Sequence, residues 1–114
     1  MSDLKDRGLL DSTLIVWMGE FGRTPRINPA KGRDHWASSW STVLAGGGLK
    51  GGQVVGKTSA DGMAVEERPV AVSDLLGTVG LALGLDIRKQ NQSNVGRPIR
   101  FVDPTAKPIK EVVA

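Results

Sequence analysis

Within residues 19–36, GEFGRTPRINPAKGRDHW, six side chains carry usable chemistry: Glu20, Arg23, Arg26, Arg33, Asp34 and His35. His35 is the only histidine in the 114-residue chain. A carboxylate and an imidazole on one loop can take a divalent metal, because each offers a lone pair to a borderline cation. Neighbouring arginines can hold a phosphate or sulfate through paired N–H donors. Glu20, Asp34 and His35 are therefore candidate metal ligands, and Arg23 and Arg33 candidate anion-binding residues. Ordinary structural roles stand beside these. Glu20 can cap a turn or pair with Arg23, and the arginines can tie down the loop or stay solvated. Asp34 can close an Asx turn, and His35 can sit buried and hydrogen-bonded beside Trp36.

A second stretch, GGQVVGKTS from Gly51 to Ser59, contains Gly-x-x-x-x-Gly-Lys-Thr, the spelling of a phosphate-cradling nucleotide loop. Such a loop works between a strand and a helix, where loop amides and the helix N-terminus surround the phosphates. Here Val54 and Val55 favour extended backbone, Asp61-Gly62 signals a turn, and Pro69 blocks a long helix. The expectation is a turn, a short strand or bulge at 53–56 and a hairpin around Asp61-Gly62 rather than a nucleotide site.

These residues need elements to position them. Ser2 to Arg7 reads as the end of a helix, with Lys5 and Arg7 in its last turn and Gly8 at its C-terminal cap. Ser12 to Gly19, STLIVWMG, is an almost unbroken apolar run rich in β-branched residues, the pattern of a buried central strand in a parallel or mixed sheet. Such a strand, from Leu14 to Met18, expects neighbours on both sides. Without them its apolar surface stays exposed and favours self-association. The loop with Glu20 and His35 then lies at the carboxyl end of this strand, where open α/β sheets bind ligands. Trp40 to Gly48 reads as a second strand leaving through a glycine turn. Ser73 to Gly84 reads as a helix capped by Ser73 and closed by Gly84, with Leu76, Val79, Gly80 and Leu83 on one face. Gly77 and Gly80 allow close packing of that helix against the sheet. From Asn91 the chain is polar, with prolines at 98, 104 and 108, and wraps the body in short extended segments.

Composition narrows the classes. Fifteen Lys and Arg against twelve Asp and Glu give a net charge of +3, and the basic residues are scattered. No basic block marks a nucleic-acid arm. Cysteine is absent, which removes disulfides, thiolate metal sites and a cysteine nucleophile. No apolar run has the length of a membrane span, and MSDLKDRGLLDS contains none of signal-peptide length. No internal repeat or domain boundary is visible, so residues 1–114 read as part of one domain.

Three stretches carry a resemblance: LLDSTLIVWMGEFGRTPRIN, GRDHWASSWSTVLAGGGLKGGQVVGKT and RPVAVSDLLGTVGLALGL. They closely resemble the bacterial family called domain of unknown function 1501, which looks like a branch of the alkaline phosphatase and sulfatase superfamily. The resemblance implies an α/β fold, the C-terminal part of an alkaline-phosphatase-like α/β/α sandwich with a mostly parallel or mixed sheet. In that superfamily a buried strand ends in Asp-His-Gly, and a later loop adds a metal-binding histidine. GEFG stands at the first position here, so Glu20 matches the aspartate ligand and His35 the later histidine. Phe21 occupies the other histidine position and has no ligating atom, one ligand fewer than the usual two-metal centre. The superfamily's Ser or Thr nucleophile and its remaining Asp and His ligands precede the region matched here. The resemblance therefore implies a C-terminal portion of a metal-dependent phosphate- or sulfate-ester hydrolase domain, inactive alone. Its partner is the N-terminal half, its cofactor a divalent metal such as zinc, manganese or calcium, and its full-length relatives are exported. A non-catalytic binding or structural module on the same scaffold is the alternative.

Overall fold

A computed structural model describes all of residues 1–114. In chain order the elements are α1 (Ser2–Asp6), a 3-10 turn (Leu10–Ser12), β1 (Leu14–Trp17), β2 (Gly22–Arg23), β3 (His35–Trp36), β4 (Val43–Gly46), β5 (Lys57–Thr58), β6 (Val65–Glu67), α2 (Val72–Ala82), β7 (Gln90–Gln92), β8 (Pro98–Arg100) and a 3-10 turn at Lys110–Val112. The strands associate in pairs, β1 with β4, β2 with β3, β5 with β6 and β7 with β8. The last three pairs are antiparallel. The chain is thus a mixed α/β protein with small sheets. Two compact units are formed, one by Met1–Leu14, Ala45–Gln53 and Val70–Ala114, the other by Ile15–Leu44 and Val54–Pro69.

In the first unit α2 organises the core. Its N-cap is Ala71, not Ser73 as the residue type suggested. Asp74, in the first turn, does the capping instead. One carboxylate oxygen accepts the Ala71 amide at 3.1 Å, and the other accepts the distant Lys107 amide at 2.6 Å. A carboxylate that satisfies an orphan helix amide also complements the helix dipole, and this releases Ser73 from the task. Gly84 closes the helix as anticipated, at φ +74°. The amides of Gly84 and Leu85 reach back to the carbonyls of Leu81 and Gly80, at 2.9 Å each. Gly8 ends α1 in the same way, at φ +69°.

The buried face of α2 shares Gly80 with the one the apolar periodicity suggested and otherwise differs from it. Leu75, Gly77, Thr78 and Gly80 are buried, while Leu76 and Leu83 are exposed. Close approach decides the face. A Cβ at Gly77 would lie 2.8 Å from Pro108, and one at Gly80 would lie 2.9 Å from both Ile87 and Phe101. The glycines therefore face the C-terminal segment, not a sheet. That segment supplies Val102 and Ile109, which with Leu75 form the buried apolar core. Thr78 is completely buried among them. Its hydroxyl donates to the Asp74 carbonyl at 2.7 Å and accepts the Ile109 amide at 2.9 Å. One side chain thus satisfies a backbone amide that the fold removes from water.

The second unit holds the loops that follow β1. β1 itself departs from the buried central strand read from its composition. Its one strand neighbour is β4, and Trp17 is 74% exposed, with Val16 and Met18 also exposed. The apolar run thus lacks the two-sided cover that its pattern calls for. Residues 53–56 form neither a strand nor a bulge, and Val54 is exposed. The β5–β6 hairpin does form around Asp61-Gly62, with Gly62 at φ +71°. The Asp61 carboxylate accepts the Ser59 hydroxyl at 2.7 Å and the Met63 amide at 3.1 Å. Those two bonds, the Ser59 one foremost, hold its pKa below the usual aspartate value.

Candidate functional site: the Glu20 to His35 loop

The loop after β1 is a stitched hairpin. β2 and β3 pair antiparallel with Gly22 opposite Trp36 and Arg23 opposite His35. Gly22 is needed for close approach rather than for an unusual φ. A Cβ there would stand 2.3 Å from the Ser39 carbonyl oxygen and 2.9 Å from Trp40 Cβ. The second glycine of GEFG therefore lets the strand pair lie against the chain at Ser39 and Trp40.

Thr24 and Asn28 set the shape of the loop between these strands. The Thr24 amide donates to the Asp34 carbonyl, and the Asp34 amide returns a bond to the Thr24 hydroxyl, both at 3.0 Å. Asn28 closes the tip. Its carboxamide oxygen accepts the Gly32 amide at 2.9 Å, and its nitrogen donates to Asp34 Oδ1 at 2.8 Å. Lys31 takes up φ +62° within this turn. Neither Thr24 nor Asn28 stands out as a chemical residue in the sequence. Their signal is positional: short polar side chains beside Pro25 and Pro29 at the two ends of a turn.

The candidate residues divide by what their polar atoms already do. Arg33 Nη1 donates to the Thr24 carbonyl at 2.7 Å and the Pro25 carbonyl at 2.5 Å, so this guanidinium ties the loop together. Asp34 is partly engaged by Asn28. Arg23 donates one bond, from Nη1 to the Arg33 carbonyl at 3.3 Å. Its guanidinium carbon lies 5.6 Å from the centre of the Phe21 ring, within cation–π range. The Phe21 ring in turn lies 4.0 Å from the His35 ring. Glu20 and His35 are exposed, and neither side chain takes part in a hydrogen bond or ion pair. Nothing groups Glu20, Asp34 and His35 into a ready trio of ligands. Two ligands alone would leave a tetrahedral ion half-coordinated. Nearby, the indole N–H groups of Trp36 and Trp40 are buried without acceptors.

The nucleotide-loop spelling finds a different setting. Lys57 and Thr58 lie in β5, and the next helix begins at Val72. Lys57 Nζ reaches Glu67 Oε1 across the hairpin at 2.8 Å. The lysine thus faces a carboxylate, and it is followed by a hairpin strand rather than directly by a helix N-terminus. No helix of the chain is long and apolar enough to cross a membrane.

The comparison with known families agrees with the motif reading at the level of the family. A family model described as Protein of unknown function (DUF1501) matches residues 1–113. No curated protein and no solved structure matches the chain. A match of that extent covers every element from α1 to the final 3-10 turn, and the chain belongs to the DUF1501 family.

Proposed function

We propose that this chain is the C-terminal part of an alkaline-phosphatase- and sulfatase-like hydrolase domain, an α/β/α sandwich in its complete form. The observation that carries the reading is the division of polar atoms in the loop. The two residues that the superfamily resemblance assigns as ligands, Glu20 and His35, have uncommitted polar atoms. Asp34 and Arg33 are held by loop contacts. Phe21 and His35, which stand at two positions that carry histidines in the superfamily, also lie side by side.

In this reading Glu20 and His35 form part of the ligand set of a divalent metal, zinc, manganese or calcium. Asp34 is a further candidate, and the other ligands and the nucleophile come from the N-terminal half of the domain. A bound metal would polarise a phosphate or sulfate ester. Arg23, with one hydrogen bond and an exposed guanidinium, orients the ester oxygens, and Arg33 keeps the loop in shape around it. The chain alone does not turn over. The exposed Val16, Trp17 and Met18 then mark strand surface that the other half, or a second copy, covers.

The test is metal titration of a longer member of the family. Stoichiometric zinc or manganese binding should be lost when the residue matching Glu20 is changed to alanine. Unchanged binding would remove Glu20 from the ligand set. Phosphate- or sulfate-ester turnover by the isolated chain, abolished by His35→Ala, would overturn the inactive-part reading.

A second reading, a non-catalytic binding or structural module on the same scaffold, is favoured by Phe21. Its ring fills a ligand position with a group that cannot coordinate a metal and stacks on the histidine beside it. Absence of stoichiometric metal binding in the longer protein would select this reading.

A further inference from the structure

A cleft of about 840 Å³ opens in the first unit, beside the C-terminal end of α2. It has the size of a small-molecule site. Its apolar lining includes Leu81, Ile87, Val102 and Pro108. Four cationic residues, Arg88, Arg100, Lys107 and Lys110, and two acidic ones, Asp86 and Asp103, also line it.

Each carboxylate has one oxygen engaged by a local turn, and Asp103 also lies in the field of Arg100. Asp103 Oδ1 accepts the Thr105 amide at 2.8 Å and the Thr105 hydroxyl at 2.6 Å. Asp86 Oδ1 accepts the Arg88 amide at 3.0 Å. None of Arg88, Lys107 and Lys110 is in an ion pair. Arg100 is held ready. With its amide oxygen turned toward Arg100, Gln90 accepts from Nε at 3.0 Å and from Nη2 at 2.7 Å. This fixes the guanidinium plane from the opposite strand of the β7–β8 pair, where Gln90 and Arg100 are partners.

From this arrangement we propose that the cleft binds a small organic anion, with an apolar body on Leu81, Ile87, Val102 and Pro108 and a single carboxylate, sulfonate or phosphate head among Arg88, Arg100, Lys107 and Lys110. The apolar floor favours burial of hydrocarbon. Arg88, Lys107 and Lys110, none in an ion pair, favour an anionic head, since charge-assisted bonds are stronger than neutral ones. This site is separate from the Glu20 to His35 loop and does not depend on the hydrolase reading.

Calorimetric titration of the intact chain with octanoate, octanol and inorganic phosphate tests it. Octanoate should bind at one site, roughly tenfold more tightly than octanol, as charge-assisted bonds to the head group require. The double variant Lys107→Gln/Lys110→Gln should weaken octanoate severalfold, toward the affinity of octanol, with Arg88 and Arg100 retaining the rest. Both lysines are exposed, so the variant should keep the parent's melting temperature. Equal binding of octanoate and octanol would show hydrocarbon partitioning alone and overturn the proposal. So would phosphate binding as tightly as octanoate, or a double variant that binds octanoate as the parent does.

Discussion

The Phe21 and His35 rings lie 4.0 Å apart between centroids and 30° from parallel, with the Arg23 guanidinium carbon 5.6 Å from the Phe21 ring centre. This contact joins the residue just before β2 to the first residue of β3, diagonally across the β2–β3 register. Cross-strand side chains on one face are the units of sheet stabilisation, and an aromatic pair contributes beyond its buried area.

The contact predicts a gain of function. Phe21→His would set a second imidazole beside His35, next in sequence to the uncommitted Glu20 carboxylate. Zinc affinity, measured by competition with a chromogenic chelator, should rise roughly tenfold or more over the parent, since imidazole is a strong zinc ligand. An unchanged affinity would show that the two positions do not share a ligand-forming geometry.

Gly22 has no room for a side chain. Gly22→Ala should destabilise the loop by about 1–3 kcal/mol, because the new methyl meets the Ser39 carbonyl and Trp40. Chemical denaturation followed by tryptophan emission reads this directly, since Trp36 and Trp40 lie beside the change. A variant as stable as the parent would show that the backbone at Ser39 yields easily.

Thr78 is a test of the first unit. Thr78→Val keeps the shape but removes the acceptor for the buried Ile109 amide. The loss should be about 1–3 kcal/mol, the cost of an unsatisfied buried group. Thr78→Ser keeps the hydroxyl and should lose less. Valine and serine variants of equal stability would mean that the hydrogen bond does not matter there.

Asp61 and Asp103 both titrate below the usual aspartate range. Hydrogen bonds from Ser59 and then Met63 are the leading causes for Asp61, and bonds from the Thr105 side chain and amide for Asp103. A carboxyl whose folded pKa is depressed stabilises the fold above its unfolded pKa, and that contribution is lost as pH falls through the folded value. Between neutral pH and about pH 5 these groups should leave the melting temperature unchanged, with their loss falling below about pH 4. Asp61→Asn should shrink the acid-induced drop in melting temperature. A drop identical to the parent's would show that the Ser59–Asp61 turn does not contribute.

Local signals were legible wherever the physics is local. Gly8 and Gly84 end their helices because each must adopt positive φ, a property written in the residue type. The Asp61-Gly62 hairpin follows from turn chemistry in the same way. The family was legible in contiguous motifs such as GEFGRTP and GRDHW, and the match over residues 1–113 bears that out. Ser73 misled because the cap was supplied by Asp74, whose second oxygen holds the remote Lys107 amide. The face of α2 misled because apolar periodicity ranks Leu76 and Leu83 as core. Contact with Pro108, Ile87 and Phe101 instead buries Leu75, Gly77 and Thr78, together with Gly80, which the periodicity also places on the packed face.

By itself, then, the sequence determined the family, the helix ends, the hairpin turn and the residue types around the Glu20 to His35 loop. Those depend on single residues or on neighbours in the chain. The tertiary structure alone decided which of those residues have uncommitted atoms. Arg33 turned inward onto the Thr24 and Pro25 carbonyls, Asp34 onto Asn28, and Phe21 onto His35. It also brought Arg88, Arg100, Lys107 and Lys110 to one cleft. Hydrogen-bond partners and charge clusters depend on distances in space, and residues far apart in sequence set those distances only once the chain has folded.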